Sequence, residues 1–516
     1  MRFDEALADY DRAIALKPDY ADAFNNRGAA LAEQGQYEQA LSSYEKAITL
    51  APDHKFALSG LADCAMRLCD WALCEKLSRE LRRQVTQRQS IISPFVLLGY
   101  DDDVALHLLC TQNYVVDHFG ASPQRIAAPC AVRRNQKIRV AYLSSDFRRH
   151  AVAYLAAELF EQHDRSQFEV IGISFGPDDG SDLRSRLVAA FDRFIDVTEL
   201  NDQDAAQLIN NLEIDIAVDL NGHTRDARLG ILAPHPAPIQ VSYLGFPATT
   251  GAQFIDYIIA DPIVLPFDQQ PYYTERIVHL PDCFQVNDST RKLPKPTQSR
   301  REAGLPEHGF VFCCFNNTYK IRAPVFDSWM RTMRSIEGAV LWLNADHPAV
   351  ECNLRREAQS RGVDPARLIF APRVDLDQHL ARQRLADLFL DTLPVNAGAT
   401  ASAALWAGLP VLTCRGQTFF GRMGTSLMTA IGLPEMVTSN LEEYEAVALK
   451  LARDPFLLKS IRSRLEANRS THPLFDTDRF RRHIEAAYTR MWEYWQRGES
   501  PRSFSVEPLP ARTRKA

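Results

Sequence analysis

The chain has 516 residues, 46% of them hydrophobic and 24% charged, with a net charge of −6 at pH 7. One core cannot hold so long a chain, and ordinary domain sizes set an expectation of about three units. The charge forms no basic face for nucleic acid, no run reaches the roughly 18 uncharged apolar residues of a membrane helix, and acids in "MRFDEALADYDRAIALKPDY" stand where a signal peptide would have its apolar core.

The expectation is a cytoplasmic protein with no nucleic-acid and no membrane partner. Its ten cysteines include no C-x-x-C pair. Cys64, Cys69 and Cys74 recur every five residues in a helical stretch, and Cys313 and Cys314 sit inside a strand. Neither spacing suits a metal or a disulfide, so ordinary reduced thiols and no metal site are expected. The last residues, "ARTRKA", read as a small solvated basic tail.

The N-terminus repeats with a period of 34 residues: Phe3, Tyr37 and Trp71 recur, as do Ala6, Ala40 and Cys74, and Tyr10 pairs with Tyr44 and Pro18 with Pro52. Small Ala positions and a closing Pro at this period resemble the tetratricopeptide helix-turn-helix repeat. Met1 falls at the start of a repeat's second helix, so the face of that helix is expected to be covered by repeats upstream or by another molecule.

Residues 75–135 read as further helix followed by a loop ending in "AAPCAVRRNQ". From 136 the pattern changes to strand-length apolar runs, "KIRVAYLSSDF", "FEVIGISFG", "IDIAVDLNG", "IQVSYLGFP" and "DYIIAD", most of them separated by helical stretches. That alternation predicts a parallel sheet covered on both faces. The polar, aperiodic segment 287–300 reads as a linker. The alternation then restarts with "GFVFCCFNN", "AVLWLNA", "RLIFAP", "LFLDT" and "PVLTC". Two doubly wound α/β halves enclose a cleft at the carboxyl ends of their strands.

One of those ends carries "NAGATAS" between "LFLDT" and the helical "AALWAGLP". A helix starting near Thr400 would aim free N–H groups and a positive dipole end into the cleft, where a phosphate fits. Small side chains there either let phosphates approach or only allow tight helix-to-sheet packing. Lys320 ends "CCFNNTYK" just beyond a strand, where it is either a solvated surface residue or an ammonium for a diphosphate. His379 and Arg382, three apart, share a helix face and could grip a base or ribose.

The ordered set "RVAYLSSDFRRH", "DLNGHTRDARLGILAPHPAPIQVSYLGFPATTGAQFIDYIIAD", "FNNTYK", "DQHLARQRLADLFLDT" and "LWAGLPVLT", downstream of the repeats, resembles the O-linked N-acetylglucosamine transferase and SPINDLY family over about residues 1–75 and 136–470. The resemblance implies an α/β fold: tetratricopeptide repeats followed by two doubly wound, Rossmann-like lobes of the glycosyltransferase B type. It implies a nucleotide sugar as co-substrate, no cofactor or metal, and inverting transfer of a monosaccharide to Ser or Thr hydroxyls of a polypeptide bound along the repeats. The expected units are repeats at 1–75, a helical linker region at 76–135, an acceptor-side lobe at 136–290, a nucleotide-sugar lobe at 301–475, a C-terminal helix at 476–500 and a tail at 501–516.

Residue by residue, the resemblance places His150 at the acceptor and sugar as base or orienting group, Lys320 on the diphosphate, Asn317 beside the phosphates, and His379 and Arg382 on the base. His223, in "NGHT", falls on a cleft loop where the animal enzymes have tyrosine. The transferase branch usually reads His-Thr-Thr and then an acid at the positions of Gly398, Ala399, Thr400 and Ala403, and only Thr400 is retained here. The missing acid predicts donor binding weaker by about one to two decades. A UDP sugar is the first expectation, because "LSSDFRRH" and "DYIIAD" read like that branch. GDP-fucose is the alternative donor, and a repeat scaffold with a degenerate nucleotide-sugar site is the alternative of another class.

Overall fold

The computed structural model describes residues 3–126, 137–295, 298–344 and 347–510. Met1, the end of the expected boundary loop at 127–136 and the basic tail at 511–516 lie outside them. Among the described residues no helix is long and apolar enough to cross a membrane, and nine cysteines are free thiols.

Helices α1 (Phe3–Leu16), α2 (Ala21–Glu33), α3 (Tyr37–Leu50) and α4 (Ala57–Arg67) pack as consecutive antiparallel pairs. Their small repeat positions are what allow this: Ala40 and Ala47 of α3 and Ala57 and Ala62 of α4 are fully buried. Helix α5 (Trp71–Gln87) is capped by Asp70, which accepts from the Leu73 amide. It runs through residue 75, so the repeats pass into α6 (Pro94–Tyr100) and α7 (Val104–Phe119) without a break.

The N-terminal lobe holds β1 (Ile138–Ser144), β2 (Phe168–Ser174), β3 (Arg193–Asp196), β4 (Ile216–Asp219), β5 (Ile239–Ser242), β6 (Tyr257–Ala260) and β7 (Arg276–His279), with α8 (Ala151–Gln162), α9 (Asp182–Ala190) and α10 (Asp202–Asn211) in the first crossovers. The C-terminal lobe holds β8 (Val311–Cys314), β9 (Val340–Asn344), β10 (Leu368–Ala371), β11 (Leu388–Leu390), β12 (Val411–Cys414) and β13 (Val437–Thr438). Between and after these strands come α11 (Ala323–Arg334), α12 (Pro348–Ser360), α13 (Leu376–Gln383), α14 (Ala399–Trp406), α15 (Phe419–Ala430), α16 (Leu441–Arg453), α17 (Pro455–Asn468) and α18 (Thr477–Gln496).

Both sheets are parallel, in the orders β14-β7-β6-β5-β4-β1-β2-β3 and β10-β9-β8-β11-β12-β13, where β14 is Phe504–Ser505. The chain beyond 501 is therefore not all tail: Phe504 and Ser505 pair with Val278 and His279 and close the edge of the N-terminal sheet. The strands read as near-continuous apolar runs because helices cover both faces.

Three features fix the lobes relative to one another. The core of the C-terminal lobe is continuous with Leu68, Cys69, Trp71 and Leu98 of the helical region, while Val115 and Phe119 of α7 join the core under the N-terminal sheet. Helix α18 returns to the N-terminal lobe and buries Ile484, Ala487, Tyr488 and Met491 beside α8. Where the chain crosses between lobes in both directions, the buried Glu158 of α8 accepts from the Ser289 amide at 2.6 Å, the Ser289 hydroxyl at 2.9 Å and the Thr477 hydroxyl at 2.6 Å.

Removing that carboxylate leaves these donors without their shared acceptor. Glu158→Ala should cost about 2–4 kcal/mol, read as a lower thermal midpoint and as proteolytic cutting of the 289–300 linker before the parent is cut.

Candidate active site

Strand β11 ends at Leu390, and Asp391 follows it into the interior. A buried carboxylate needs donors, and the next turn supplies them: Asp391 Oδ1 accepts from the Thr392 and Ala397 amides, both at 2.8 Å, and Oδ2 accepts from the Thr413 hydroxyl at 2.7 Å. Asn316, at the end of β8, adds Nδ2 contacts to Asp391 at 3.3 Å and to the Thr392 hydroxyl at 2.8 Å. Burial, against these bonds and the charge of Lys320, raises the Asp391 carboxyl to about 6.

Lys320 closes the short 3₁₀ turn Thr318–Lys320 and is buried rather than solvated. Its Nζ donates to the Asn396 carbonyl at 2.9 Å and stands 4.7 Å over the Phe420 ring. Burial, opposed by the charge of Asp391, lowers its pKa to about 8. Asn316, just before this turn, bonds the Asp391 loop, and Asn317, exposed at the start of the turn, hydrogen-bonds Tyr319 within it.

The small-residue loop runs from Asp391 to Gly398, which starts α14 without any side-chain cap. Gly398 is closely approached by side-chain ends: a Cβ there would lie 2.4 Å from Met423 Cε and 3.1 Å from Gln285 Oε1, so a larger residue would displace the flexible Met423 methyl. Ala399 and Thr400 are half-buried at the helix start, and Ala403 lies one turn on. The first amides of a helix have no intrahelical acceptor, so this end presents donors and a positive dipole.

His379 and Arg382 lie together on α13. The guanidinium is 2.9 Å from His379 Nδ1, 4.8 Å from the Phe315 ring and bonded to the Pro372 carbonyl, while His379 stands edge-on to Phe315 with Nε2 at 2.7 Å from the Gln383 carboxamide. Burial, then the charge of Arg382, depresses the imidazole to about 3. It is neutral at pH 7.

From the other lobe, His150 caps α8, with Nδ1 3.4 Å from the Val152 amide and 3.3 Å from Asp146 Oδ2. Burial lowers its pKa, opposed by Asp146; burial raises that of Asp146, opposed by His150 and Arg148. Asp146 is held by Asn221 Nδ2 at 3.1 Å, and Asn221 also bonds the Ser145 hydroxyl and amide. Helix α14 packs against α8, and Ala399 touches the N-terminal core that includes Val152 and Leu155. The cleft therefore faces an imidazole–carboxylate pair on one side and an ammonium with a helix N-terminus on the other.

His223 is buried in the N-terminal lobe and does not reach the cleft as an exposed side chain. Its imidazole is sunk between Tyr114 and Phe246, both edge-on, with Nε2 at 2.7 Å from the Thr250 carbonyl, and burial depresses its pKa to about 4. It braces the loop that carries Asn221 and has no contact with the His150 cluster. Asp146, Asn221, Asp391, Met423 and Gln285 were missed. For Asp146 and Asp391 a signal existed: one lies four residues before His150 and the other is an acid at the end of an apolar strand facing a loop. Among the described residues no cluster of His, Cys, Asp or Glu could hold a metal ion.

A family profile described as "Glycosyl transferase family 41" matches residues 109–299 and 294–484, and tetratricopeptide-repeat profiles match 2–35 and 21–54. An Arabidopsis thaliana protein named probable UDP-N-acetylglucosamine–peptide N-acetylglucosaminyltransferase SEC is 35% identical over 459 residues, 85% of this chain and 47% of its own length. A rice (Oryza sativa subsp. japonica) protein of the same activity name, SPINDLY, is 31% identical over 70% of this chain and 40% of its own length. The chain thus spans about half the length of the curated relatives it matches. A solved structure of a mutant Thermobaculum terrenum O-GlcNAc transferase superposes with a TM-score of 0.82 at 29% identity, covering 96% of both chains.

The Lys320 environment has a pH signature. Its folded value of about 8 lies below the ordinary 10.5, so between the two the unfolded chain holds a proton that the folded chain lacks, and stability rises with pH. Below about 8 the full cost of burying the ammonium is present, about 3 kcal/mol. The stability of Lys320→Met relative to the parent should therefore fall by about that amount between pH 7 and 10.5, measured as denaturation midpoints across the range.

Proposed function

The chain belongs to glycosyltransferase family 41, and from its cleft we propose that it is a protein O-glycosyltransferase, moving N-acetylglucosamine from UDP-N-acetylglucosamine to Ser or Thr hydroxyls with inversion. The observation that carries this reading is the buried Lys320 ammonium held beside the uncapped start of α14. Departure of a nucleoside diphosphate from an anomeric carbon builds negative charge on its oxygens, and preorganised cations and amides lower that barrier. Lys320 and the first amides of α14 supply this countercharge, so the reaction proceeds without a metal ion.

The acceptor oxygen attacks the anomeric carbon from the side opposite the diphosphate; the new C–O bond forms as the bond to the diphosphate breaks, and the diphosphate leaves with the electron pair. His150 Nδ1 is shared between the Val152 amide and Asp146; in the tautomer that gives up the cap bond and turns Nδ1–H to Asp146, Nε2 is free to take the hydroxyl proton. Phe315, His379 and Arg382 form an aromatic and cationic cluster suited to the nucleotide base. Asn317 stands at the open side of the Lys320 turn, where it reaches the phosphates. The acceptor polypeptide lies along the repeats: Arg225, four residues after Asn221, pairs with Glu33 at the end of α2, so the repeat surface runs on to the His150 loop. The site of action in this reading is cytoplasmic.

The packing and composition of this loop favour a second reading, a nucleotide-binding scaffold with a degenerate nucleotide-sugar site. Met423 and Gln285 occupy the space over Gly398, and Ala403 offers the ribose no carboxylate.

Calorimetric titration with UDP and with GDP in the presence of EDTA separates these readings. UDP should bind without metal, at least tenfold more weakly in Lys320→Ala, and progressively more weakly above pH 8 as Lys320 loses its proton. No binding of either nucleotide at millimolar concentration sinks the catalytic reading. His150→Ala should reduce transfer to a Ser/Thr peptide by about 10²–10⁴-fold with nucleotide affinity unchanged, followed with radiolabelled donor. Ala403→Asp should tighten UDP about tenfold by adding a charge-assisted bond to the ribose, again by calorimetry.

A further inference from the structure

The turn that carries Lys320 is not built by the C-terminal lobe alone. Trp71 Nε1, at the start of α5, donates to the Ile321 carbonyl at 2.9 Å, and Cys69 Sγ lies 3.5 Å from the Thr318 carbonyl. In the other direction the Thr318 hydroxyl donates to the Arg67 carbonyl at 3.1 Å, and Asn353 Nδ2 donates to the Leu68 carbonyl at 2.9 Å. These bonds join residues about 250 apart in sequence to both ends of a three-residue 3₁₀ turn, which is too short to fix itself.

Aromatic packing follows the same route. The Trp71 ring centroid is 4.9 Å from that of Phe326. Phe95 of α6 lies 5.8 Å from Tyr319, the residue before Lys320, and 6.2 Å from Phe420, the ring beneath the Lys320 ammonium. The ammonium thus rests on a ring and on a turn that both lean on the helical region. Cys69 has φ of +53°, a left-handed conformation that is strained in a residue with a Cβ and occurs here where the chain meets the Lys320 turn.

We propose that Trp71 and Phe95 are positioning residues for Lys320, so that the helical region is an integral wall of the donor site and not only a surface for the acceptor. This rests on the reading of Lys320 as the group that receives the diphosphate. Trp71→Phe keeps a ring in the core and deletes the indole donor, leaving the Ile321 carbonyl without that bond. The turn can then relax toward solvent and carry the ammonium with it.

Two readouts on the full chain test this. Calorimetry with UDP and GDP reads the donor site, and competitive labelling of Lys320 with acetic anhydride, scored by mass spectrometry from pH 6 to 11, reads the lysine directly. Trp71→Phe and Phe95→Ala should bind nucleotide about 5–10-fold more weakly and shift the labelling midpoint of Lys320 upward from about 8 as its burial relaxes. Trp495→Phe, at the C-terminal end of α18 where it stacks on Trp492 against the N-terminal core, should leave both unchanged. Thr318→Val cuts the link from the other side and carries the same expectation should Trp71→Phe not fold. A fall in thermal midpoint with unaltered affinity and labelling overturns the proposal. A parent that binds neither nucleotide, with the labelling midpoint still moving in the variants, overturns the proposed function and leaves the positioning role standing.

Discussion

The arrangement of the cleft depends on a single constraint, a carboxylate and an ammonium buried close enough at the carboxyl end of β11 for each to feel the other's charge. Neither charge is tolerable in such a place without partners. Asp391 draws the following loop around itself through the Thr392 and Ala397 amides, and Lys320 pins the outer side of the same loop through the Asn396 carbonyl. The smallness of the surrounding residues follows from this. Helix α15 passes so close that a Cβ at Gly424 would stand 2.7 Å from Asp391 Oδ2 and 2.2 Å from the Thr413 hydroxyl. Small residues in "NAGATAS" therefore serve both the packing and the exposure of helix amides to the cleft.

Around this constraint the molecule is assembled as a closed frame. The helical region shares the core of one lobe and touches the core of the other, α18 returns from the C-terminal lobe to α8, and Glu158 ties the two crossings to the helix that His150 caps. A second buried set, His163 between Glu485 and the Tyr142 hydroxyl, fastens the far end of α8 to α18. Both sides of the proposed site are thus carried on elements whose own positions are fixed by buried polar contacts, which is what preorganisation for charge development requires.

The departure from the family's usual loop has a physical counterpart. Where the sequence lacks a side chain at position 398, the methyl of Met423 fills the space and the Gln285 carboxamide closes it. The loop has been repacked, not left open. The donors that remain there are backbone amides, whose placement depends on the helix and not on side-chain identity. In the proposed reaction, main-chain geometry and Lys320 would carry the donor, with less side-chain grip on the ribose at Ala403.

Local periodicity was enough to determine the repeats, the alternation of strands and helices, the parallel sheets and the position of a helix start in the cleft, because each is written in spacing and in residue size. It placed Lys320 just beyond a strand and His379 and Arg382 on one helix face, while His150 and the ligand roles of all four came from the family resemblance. Only the tertiary structure decided which of them meet and in what state. It buried Lys320 against Asn396 and Phe420, paired His150 with Asp146, and sank His223 between Tyr114 and Phe246. It also recruited Trp71 and Phe95 to a turn some 250 and 225 residues away in sequence. The physical reason is that spacing records which face of its own element a residue occupies, whereas burial, proton affinity and long-range hydrogen bonds are properties of the surface that folding brings against that face.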